Sequence, residues 1–142
     1  MIRQFVLSLV LGPLALFVSA SHALEKSPIS EEASAYIISP ADGEVVTNPI
    51  KVIFGLTGAG VAPAGSNLEN TGHHHLIIDA PLPSLDLPIP SDGNHVHFGK
   101  GQTETTIELE PGEHTLQMLL GDWKHVAHDK AVTSRQITIT VK

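Results

Sequence analysis

Alternating apolar and polar residues recur along the chain and predict β-strands rather than helices. Neighbouring side chains of an extended strand point to opposite faces, so a half-buried strand shows a period of two. The segments with this alternation, or with a short apolar run between breaks, are residues 35–39, 50–56, 73–79, 95–98, 103–109, 114–120 and 137–141. No segment has the 3.6-residue spacing of an amphipathic helix. About seven strands and no helix are therefore expected.

Turn-forming residues separate these segments. Residues 40–43 and 111–112 contain the Pro, Asp and Gly residues that tight turns prefer. Residues 80–94 contain four prolines, which exclude a helix interior or a central strand there. This arrangement is typical of an all-β fold, and we expect an antiparallel immunoglobulin-like β-sandwich. It forms a single domain at residues 35–142, preceded by a flexible lead-in at residues 24–34.

Residues 1–23 have the pattern of a secretory signal peptide. Arg3 precedes an apolar run at residues 5–18, and small residues offer cleavage sites near Ala20 or Ala23. The apolar run is shorter than the ~20 residues that span a bilayer, which favours cleavage over a membrane anchor. We therefore expect a periplasmic or secreted protein with no membrane span in its mature chain.

The composition excludes several classes of function. Eight Lys and Arg residues stand against fifteen Asp and Glu residues, and the net charge of −7 is unsuited to binding nucleic acid. The absence of cysteine excludes disulfides, thiolate nucleophiles, iron–sulfur clusters and thiolate copper sites. Histidine is the unusual component, because its nine residues outnumber Lys and Arg together.

Most of the histidines fall into three clusters. The clusters are His73-His74-His75, the pair His95 and His97, and the pair His125 and His128. Residues two apart in a strand share a face, so each such pair can place two imidazoles on one ion. Imidazoles without thiolate suit a divalent transition metal such as Cu or Zn. The predicted metal ligands are His73, His75, His95 and His97, together with His125 or His128.

Other polar residues near the clusters are assigned supporting or structural roles. The carboxylates that flank the clusters are Glu69, Asp79, Asp122 and Asp129. They can complete the ligand set or orient a ring nitrogen through a hydrogen bond. His74 is expected to pack near the core rather than to bind metal, and His114 is expected to be structural. Trp123 is expected to anchor the core or to cover the loop that carries His125.

Four motifs combine residues that are specific enough to indicate a family. They are Gly72–Asp79 (GHHHLIID), His95–Glu104 (HVHFGKGQTE), Pro111–Leu116 (PGEHTL) and Ile38–Gly43 (ISPADG). Together they resemble domain-of-unknown-function family 4399, over about residues 36–141. The resemblance implies a small exported bacterial domain with no assigned activity. The family often has Gly-Asp-His-x-His-x-Pro-His where this chain has residues 121–128, in which Trp123 and Ala127 replace a histidine and the proline.

The sequence leaves several classes of function open. The first is a cell-envelope module that binds Cu or Zn as a carrier, scavenger or sensor. The second is a non-metal interaction module whose strand edges or loops bind an unidentified envelope partner. A weaker alternative is a superoxide dismutase-like copper enzyme, since those enzymes also carry His-x-His pairs on an exported β-sandwich. This chain lacks their disulfide cysteines, so the sequence favours binding over catalysis.

Overall fold

The structure is a computed structural model that describes residues 24–142, and the predicted signal peptide at residues 1–23 lies outside the described residues. Within residues 24–142 the chain forms nine strands and no helix. The strands are β1 (Ser34–Ser39), β2 (Val45–Val46), β3 (Ile50–Thr57), β4 (Gly60–Val61), β5 (Thr71–Ile78), β6 (His95–His97), β7 (Glu104–Ile107), β8 (Gly112–Gly121) and β9 (Ile137–Val141). The predicted all-β fold is confirmed. A helix long and apolar enough to cross a membrane is not found in this part of the chain.

The strands form two sheets with the neighbours of an immunoglobulin sandwich. One sheet has the order β1-β3-β7, and the other has the order β2-β9-β8-β5, with β4 and β6 both pairing with β5. The seven longer strands pair antiparallel, whereas the two-residue strands β2 and β4 pair parallel with β9 and β5. As in immunoglobulin domains, β3 lies between β1 and β7 in one sheet, and β8 lies between β5 and β9 in the other. The predicted sandwich is confirmed.

The core between the sheets is mainly aliphatic, and β5 shows how the strand pattern distributes residues around it. Leu76 and Ile78 of β5 belong to this core, and His74 lies on the same face against Phe54 of the opposite sheet. The intervening residues must project from the outer face of the larger sheet. They are His73, His75 and Ile77.

The outer face of the larger sheet is also covered at β5. Ile77 joins a small apolar cluster with Ile89 and Ala127, which lie in the long connections at residues 79–94 and 122–136. Almost every residue of β5 is therefore buried, on both faces of the strand. This second layer places the histidines of the outer face beneath protein rather than in open solvent.

Residues 24–33 run along the domain and contribute to its core. Ile29 and Ala33 are buried in the core between the sheets. The Ser27 carbonyl accepts the Asp129 N–H at 3.1 Å, and the Ile29 N–H donates to the Asp129 carboxylate at 3.3 Å. The segment expected to be a flexible lead-in thus makes specific long-range contacts, because its two apolar residues reach the core.

Candidate metal centre

Four imidazole side chains converge on the outer face of the larger sheet. His73, His75, His97 and His125 each offer a ring nitrogen, and these four atoms all lie within 4.8 Å of one another. The ring centroids are 4.1–5.8 Å apart in every pair. We call these four residues the histidine group. It draws one member or more from each of the three histidine clusters in the sequence.

The strand register explains three of the four positions. His73 and His75 are two residues apart on β5 and therefore share its outer face. His75 is the register partner of His97 on β6, so the His97 ring stands next to the other two. These positions follow from the period of two and from pairing between neighbouring strands.

A tight turn after β8 supplies the fourth histidine. The His125 N–H donates to the Asp122 carbonyl at 3.0 Å, and the Asp122 N–H donates to the Val126 carbonyl at 2.8 Å. His125 has a φ of 63°, in the left-handed region, where histidine is enriched relative to most residues other than glycine. The Ile89 N–H donates to the His125 carbonyl at 2.7 Å, and this bond joins the turn to the connection at residues 79–94.

The side chain of Asp122 holds this turn in shape. One carboxylate oxygen accepts the N–H of Lys124 at 2.8 Å and the N–H of Val126 at 3.1 Å. The other oxygen accepts the hydroxyl of Ser27 at 2.7 Å. Asp122 is 0% exposed, so these bonds replace the hydration that the carboxylate loses on burial.

Two glycines leave room for the imidazole rings. A Cβ placed on Gly121 would lie 2.7 Å from Cε1 of His75, and a Cβ on Gly99 would lie 2.7 Å from Nε2 of His97. Contacts this short do not occur between real side chains, so glycine is required for these ring positions. The sequence pattern does not reveal the role of these two glycines, although Gly99 lies two residues after His97 and Gly121 ends β8.

Burial and mutual repulsion keep the strand histidines neutral. Burial first, and then the nearby rings of His125 and His97, lower the pKa of His73 to about 4, and the Asp122 carboxylate opposes this shift. Burial, followed by the rings of His73, His97 and His125, lowers the pKa of His75 to about 3. Burial and then His125 also lower the pKa of His97. Neutral imidazole is the form that binds a metal ion.

The ring nitrogens of the buried pair lack protein partners. Neither nitrogen of His73 or of His75 has a hydrogen-bond partner among residues 24–142, and Nε2 of His97 has none there either. A buried polar atom without a partner costs free energy, and such atoms are uncommon in folded proteins. A metal ion is one ligand that would satisfy several of these nitrogens together.

The spacing of the group is compatible with a transition-metal ion after a small contraction. Tetrahedral zinc with bonds of about 2.0–2.1 Å to nitrogen places its ligand atoms about 3.3 Å apart. Because the four ring atoms lie within 4.8 Å of one another, a movement of about 1 Å per ring would close the group around an ion. His73 and His75 are fully buried, whereas His97 and His125 are half-buried, so those two form the solvent side of the group.

Two predicted ligands lie outside the histidine group. His95 pairs with Ile77 rather than with a histidine, about 7 Å along β6 from His97. Its Nδ1 lies 2.9 Å from the Asp92 carboxylate. His95 and His97 share one face of β6, as their two-residue spacing predicts, but only His97 is paired with a histidine of β5.

His128 occupies the other face of β5. Its Nε2 lies 3.0 Å from the Thr71 carbonyl, and its ring packs over Gly72, where an added Cβ would lie 2.9 Å from Cε1. Gly72 shares the core-facing side with His74. Of the last cluster, only His125 thus belongs to the group, because the chain crosses to the opposite side of β5 before residue 128.

The remaining histidines of the domain have separate surroundings. His74 packs against Phe54, with ring centroids 5.3 Å apart, and burial lowers its pKa to about 4. Nδ1 of His114 lies 2.6 Å from the Asp79 carboxylate, and its Nε2 lies 2.8 Å from the Glu110 carbonyl. Neither residue lies in the histidine group.

The fold and the histidine group together define a β-sandwich domain with a candidate metal centre on the outer face of one sheet. The chain belongs to the family described as Domain of unknown function (DUF4399), whose model matches residues 52–142 and so includes the whole histidine group. The resemblance noted in the sequence is confirmed. No curated protein and no solved structure matches the chain significantly.

Proposed function

We propose that this protein binds one divalent transition-metal ion, Cu(II) or Zn(II), through His73, His75, His97 and His125. The single observation that carries the proposal is the convergence of four ring nitrogens within 4.8 Å. The low pKa values of the buried histidines support it, because these rings are ready to bind without first losing a proton. Imidazole ligands without thiolate favour Cu(II) or Zn(II) over Cu(I).

A binding role is favoured over catalysis. Catalytic zinc sites keep a coordination position open for water or substrate, whereas four protein ligands complete a tetrahedral shell. The histidine group supplies four such ligands. We therefore infer a carrier, scavenger or sensor of metal ions, in which the half-buried His97 and His125 form the side from which the ion enters and leaves.

We also propose that the protein acts in the cell envelope. The signal-like pattern of residues 1–23 supports export, and the absence of cysteine leaves a metal site that does not depend on thiol redox state. Mass spectrometry of protein recovered from a periplasmic fraction tests the location. A mature chain beginning after Ala20 or Ala23 is expected, and a chain that retains Met1 contradicts the proposal.

Two variants of the same short strand test the metal site. His97→Asn removes a member of the histidine group, whereas His95→Asn changes a histidine of β6 that lies outside it. Calorimetric titration of metal-free protein with Cu(II) and Zn(II) should show one ion per chain for the wild type and for His95→Asn. The affinity of His97→Asn should fall by at least about 100-fold, beyond the 10- to 100-fold typical of residues that only orient ligands.

The outcome distinguishes metal binding from other roles. Equal and weak binding by the wild type and both variants contradicts the metal proposal and favours the non-metal interaction module. A larger loss for His95→Asn than for His97→Asn contradicts the assignment of ligands. Circular dichroism of each metal-free variant verifies that the β-sandwich is retained before binding is compared.

A further inference from the structure

Asp122 is a buried acid whose surroundings are unusual. Its carboxylate accepts three hydrogen bonds, from the Ser27 hydroxyl and from the backbone N–H groups of Lys124 and Val126. It accepts from every one of these donors and donates to none, which is the pattern of an ionised carboxylate. The side chain has no exposure to solvent.

No cationic side chain neutralises this acid within the described residues. None of the ion pairs found among residues 24–142 includes Asp122. Lys124, two residues away, instead directs its ammonium to the Glu25 carbonyl and lies 5.4 Å from the centre of the Trp123 ring. A buried charge without a partner of opposite sign is costly, even when it is hydrogen-bonded.

The histidine group lies beside this charge. Asp122 directly follows Gly121, the register partner of His73, and its carboxylate opposes the lowering of the His73 pKa. Its hydrogen bonds also fix the turn that presents His125. The four imidazoles are neutral ligands, so a bound divalent ion keeps its full double charge. The histidine group contains no acid to balance that charge.

We propose that Asp122 is both the positioning residue for His125 and the counter-charge that favours a divalent ion over a monovalent one at the histidine group. The inference rests on the proposed metal-binding function. It explains why an acid is buried at this place without a lysine or arginine beside it. The cation that complements the carboxylate is then the metal ion itself.

A purely structural role is the competing explanation, because aspartate often shapes tight turns through bonds to backbone N–H groups. Asp122→Asn separates the two roles. The amide oxygen can still accept the bonds from Lys124 and Val126, and the amide nitrogen can donate to the Ser27 oxygen. The substitution therefore keeps the shape of the turn and removes only the charge.

The test compares Zn(II) with Ag(I), a monovalent ion that also binds imidazole. A Coulomb interaction scales with the charge of the ion. Removing the carboxylate should therefore lower the logarithm of the Ag(I) binding constant by half as much as that of the Zn(II) binding constant. For Asp122→Asn we expect the Zn(II) affinity to fall by about 10-fold or more and the Ag(I) affinity by about threefold. Ser27→Ala is the matched control, since it removes one hydrogen bond to the carboxylate and keeps the charge.

The results discriminate between the possible explanations. A change in the Zn(II)/Ag(I) affinity ratio for Asp122→Asn but not for Ser27→Ala supports the proposal. An equal loss for both ions, or no loss for either, overturns the counter-charge role. If Asp122→Asn fails to fold, Asp122→Ser takes its place, because its hydroxyl oxygen can accept a backbone N–H and carries no charge. The same change in the Zn(II)/Ag(I) affinity ratio supports the proposal, and an equal loss for both ions overturns it. A wild type that binds neither ion contradicts the proposed function itself.

Discussion

His75 on β5 and His97 on β6 are register partners whose imidazole rings stack 5.1 Å apart at an angle of 27°. Two cationic rings would repel one another at this distance, and the pKa of each is lowered, by burial before any other cause. The stack therefore consists of neutral rings held by the sheet itself. Such an arrangement reduces the conformational entropy that metal binding would otherwise cost.

The position of the His97 ring should depend on the glycine two residues later. In Gly99→Ala the new Cβ would lie 2.7 Å from Nε2 of His97, so the ring must turn away from its position in the group. We expect the Zn(II) or Cu(II) affinity to fall by about 10-fold or more, as for other residues that orient a ligand. Calorimetric titration of the metal-free variant measures the change.

Gly93→Ala provides the matched control for this substitution. A Cβ on Gly93 meets no atom within 4 Å, so the metal affinity should equal that of the wild type. Gly93→Ala should also unfold within about 0.5 kcal/mol of the wild type, as is usual for surface changes that disturb no contact. Wild-type affinity in Gly99→Ala would show that the His97 ring is not a ligand, or that it has another binding position.

The left-handed backbone at His125 leads to an unusual ranking of variants. Replacing alanine by glycine normally destabilises a folded protein, because glycine has more conformational freedom when unfolded. At His125, where φ is 63°, the order should reverse, since a Cβ is strained in this region. We expect metal-free His125→Gly to be more stable than His125→Ala by about 1 kcal/mol, measured by urea unfolding.

Metal binding should follow a different order from stability at the same position. Both His125→Gly and His125→Ala lack the fourth imidazole, so both should bind Zn(II) much more weakly than the wild type. If His125→Gly is more stable than His125→Ala and both variants lose Zn(II) binding, the left-handed turn is maintained for the ligand rather than for the fold. Equal stability of the two variants would argue against a left-handed backbone at this residue in solution.

The period of two predicted the strands well, because it reflects which side chains the sandwich buries. It also predicted that His73 and His75 share one face of β5, opposite to His74. The pairing of two strands that lie seventeen or more residues apart in sequence then brings His97 to His75. That step needs the register, which local alternation does not contain.

The residues that sequence reasoning could not separate are those outside the regular pattern. His95 and His97 are equivalent by spacing, and only the register places one opposite His75 and the other opposite Ile77. His125 and His128 lie in a connection without a period, where hydrogen bonds to Asp122 determine the direction of the chain. The site lies on the outer face of a sheet under two long connections, a covering layer that the alternation within the strands does not indicate.

His74 should lower the acid stability of the metal-free protein. Burial lowers its pKa to about 4, so below the unfolded value of 6.5 the unfolded chain binds a proton that the folded chain does not. Folding stability therefore decreases as the pH falls from about 6.5 towards 4, by up to about 1.4 kcal/mol per pH unit for one such residue. His74→Leu removes this contribution, and its advantage over the wild type in urea unfolding should grow between about pH 7.5 and pH 5.

The same variant tests the face on which His74 lies. Because its ring packs on Phe54 in the core, His74→Leu should keep wild-type affinity for Zn(II) at neutral pH. Loss of binding in a variant that remains folded would mean that His74 reaches the ion. A pH-independent difference in stability would mean that the His74 ring accepts a proton in the folded state as readily as in the unfolded one.

His114 should affect stability with the opposite pH dependence. Its hydrogen bond to the Asp79 carboxylate raises its pKa, and the Glu110 carbonyl next to its other nitrogen adds to this effect. The folded chain thus holds the proton more tightly than the unfolded chain. The stabilisation is complete below pH 6.5 and decreases as the pH rises through the higher pKa of the folded chain.

We expect His114→Gln to cost about 1 kcal/mol near pH 5.5 and less near pH 9, where the ring has lost its proton. The cost at pH 5.5 is small because Asp79 is partly exposed and its charge is screened by solvent. Urea unfolding at both pH values measures the difference. Asp79→Asn is the control, since a neutral amide removes the largest cause of the raised pKa, and in that background the effect of His114→Gln should depend much less on pH, with the Glu110 carbonyl as the remaining cause. A cost of His114→Gln that increases towards pH 9 would contradict the assignment of a raised pKa.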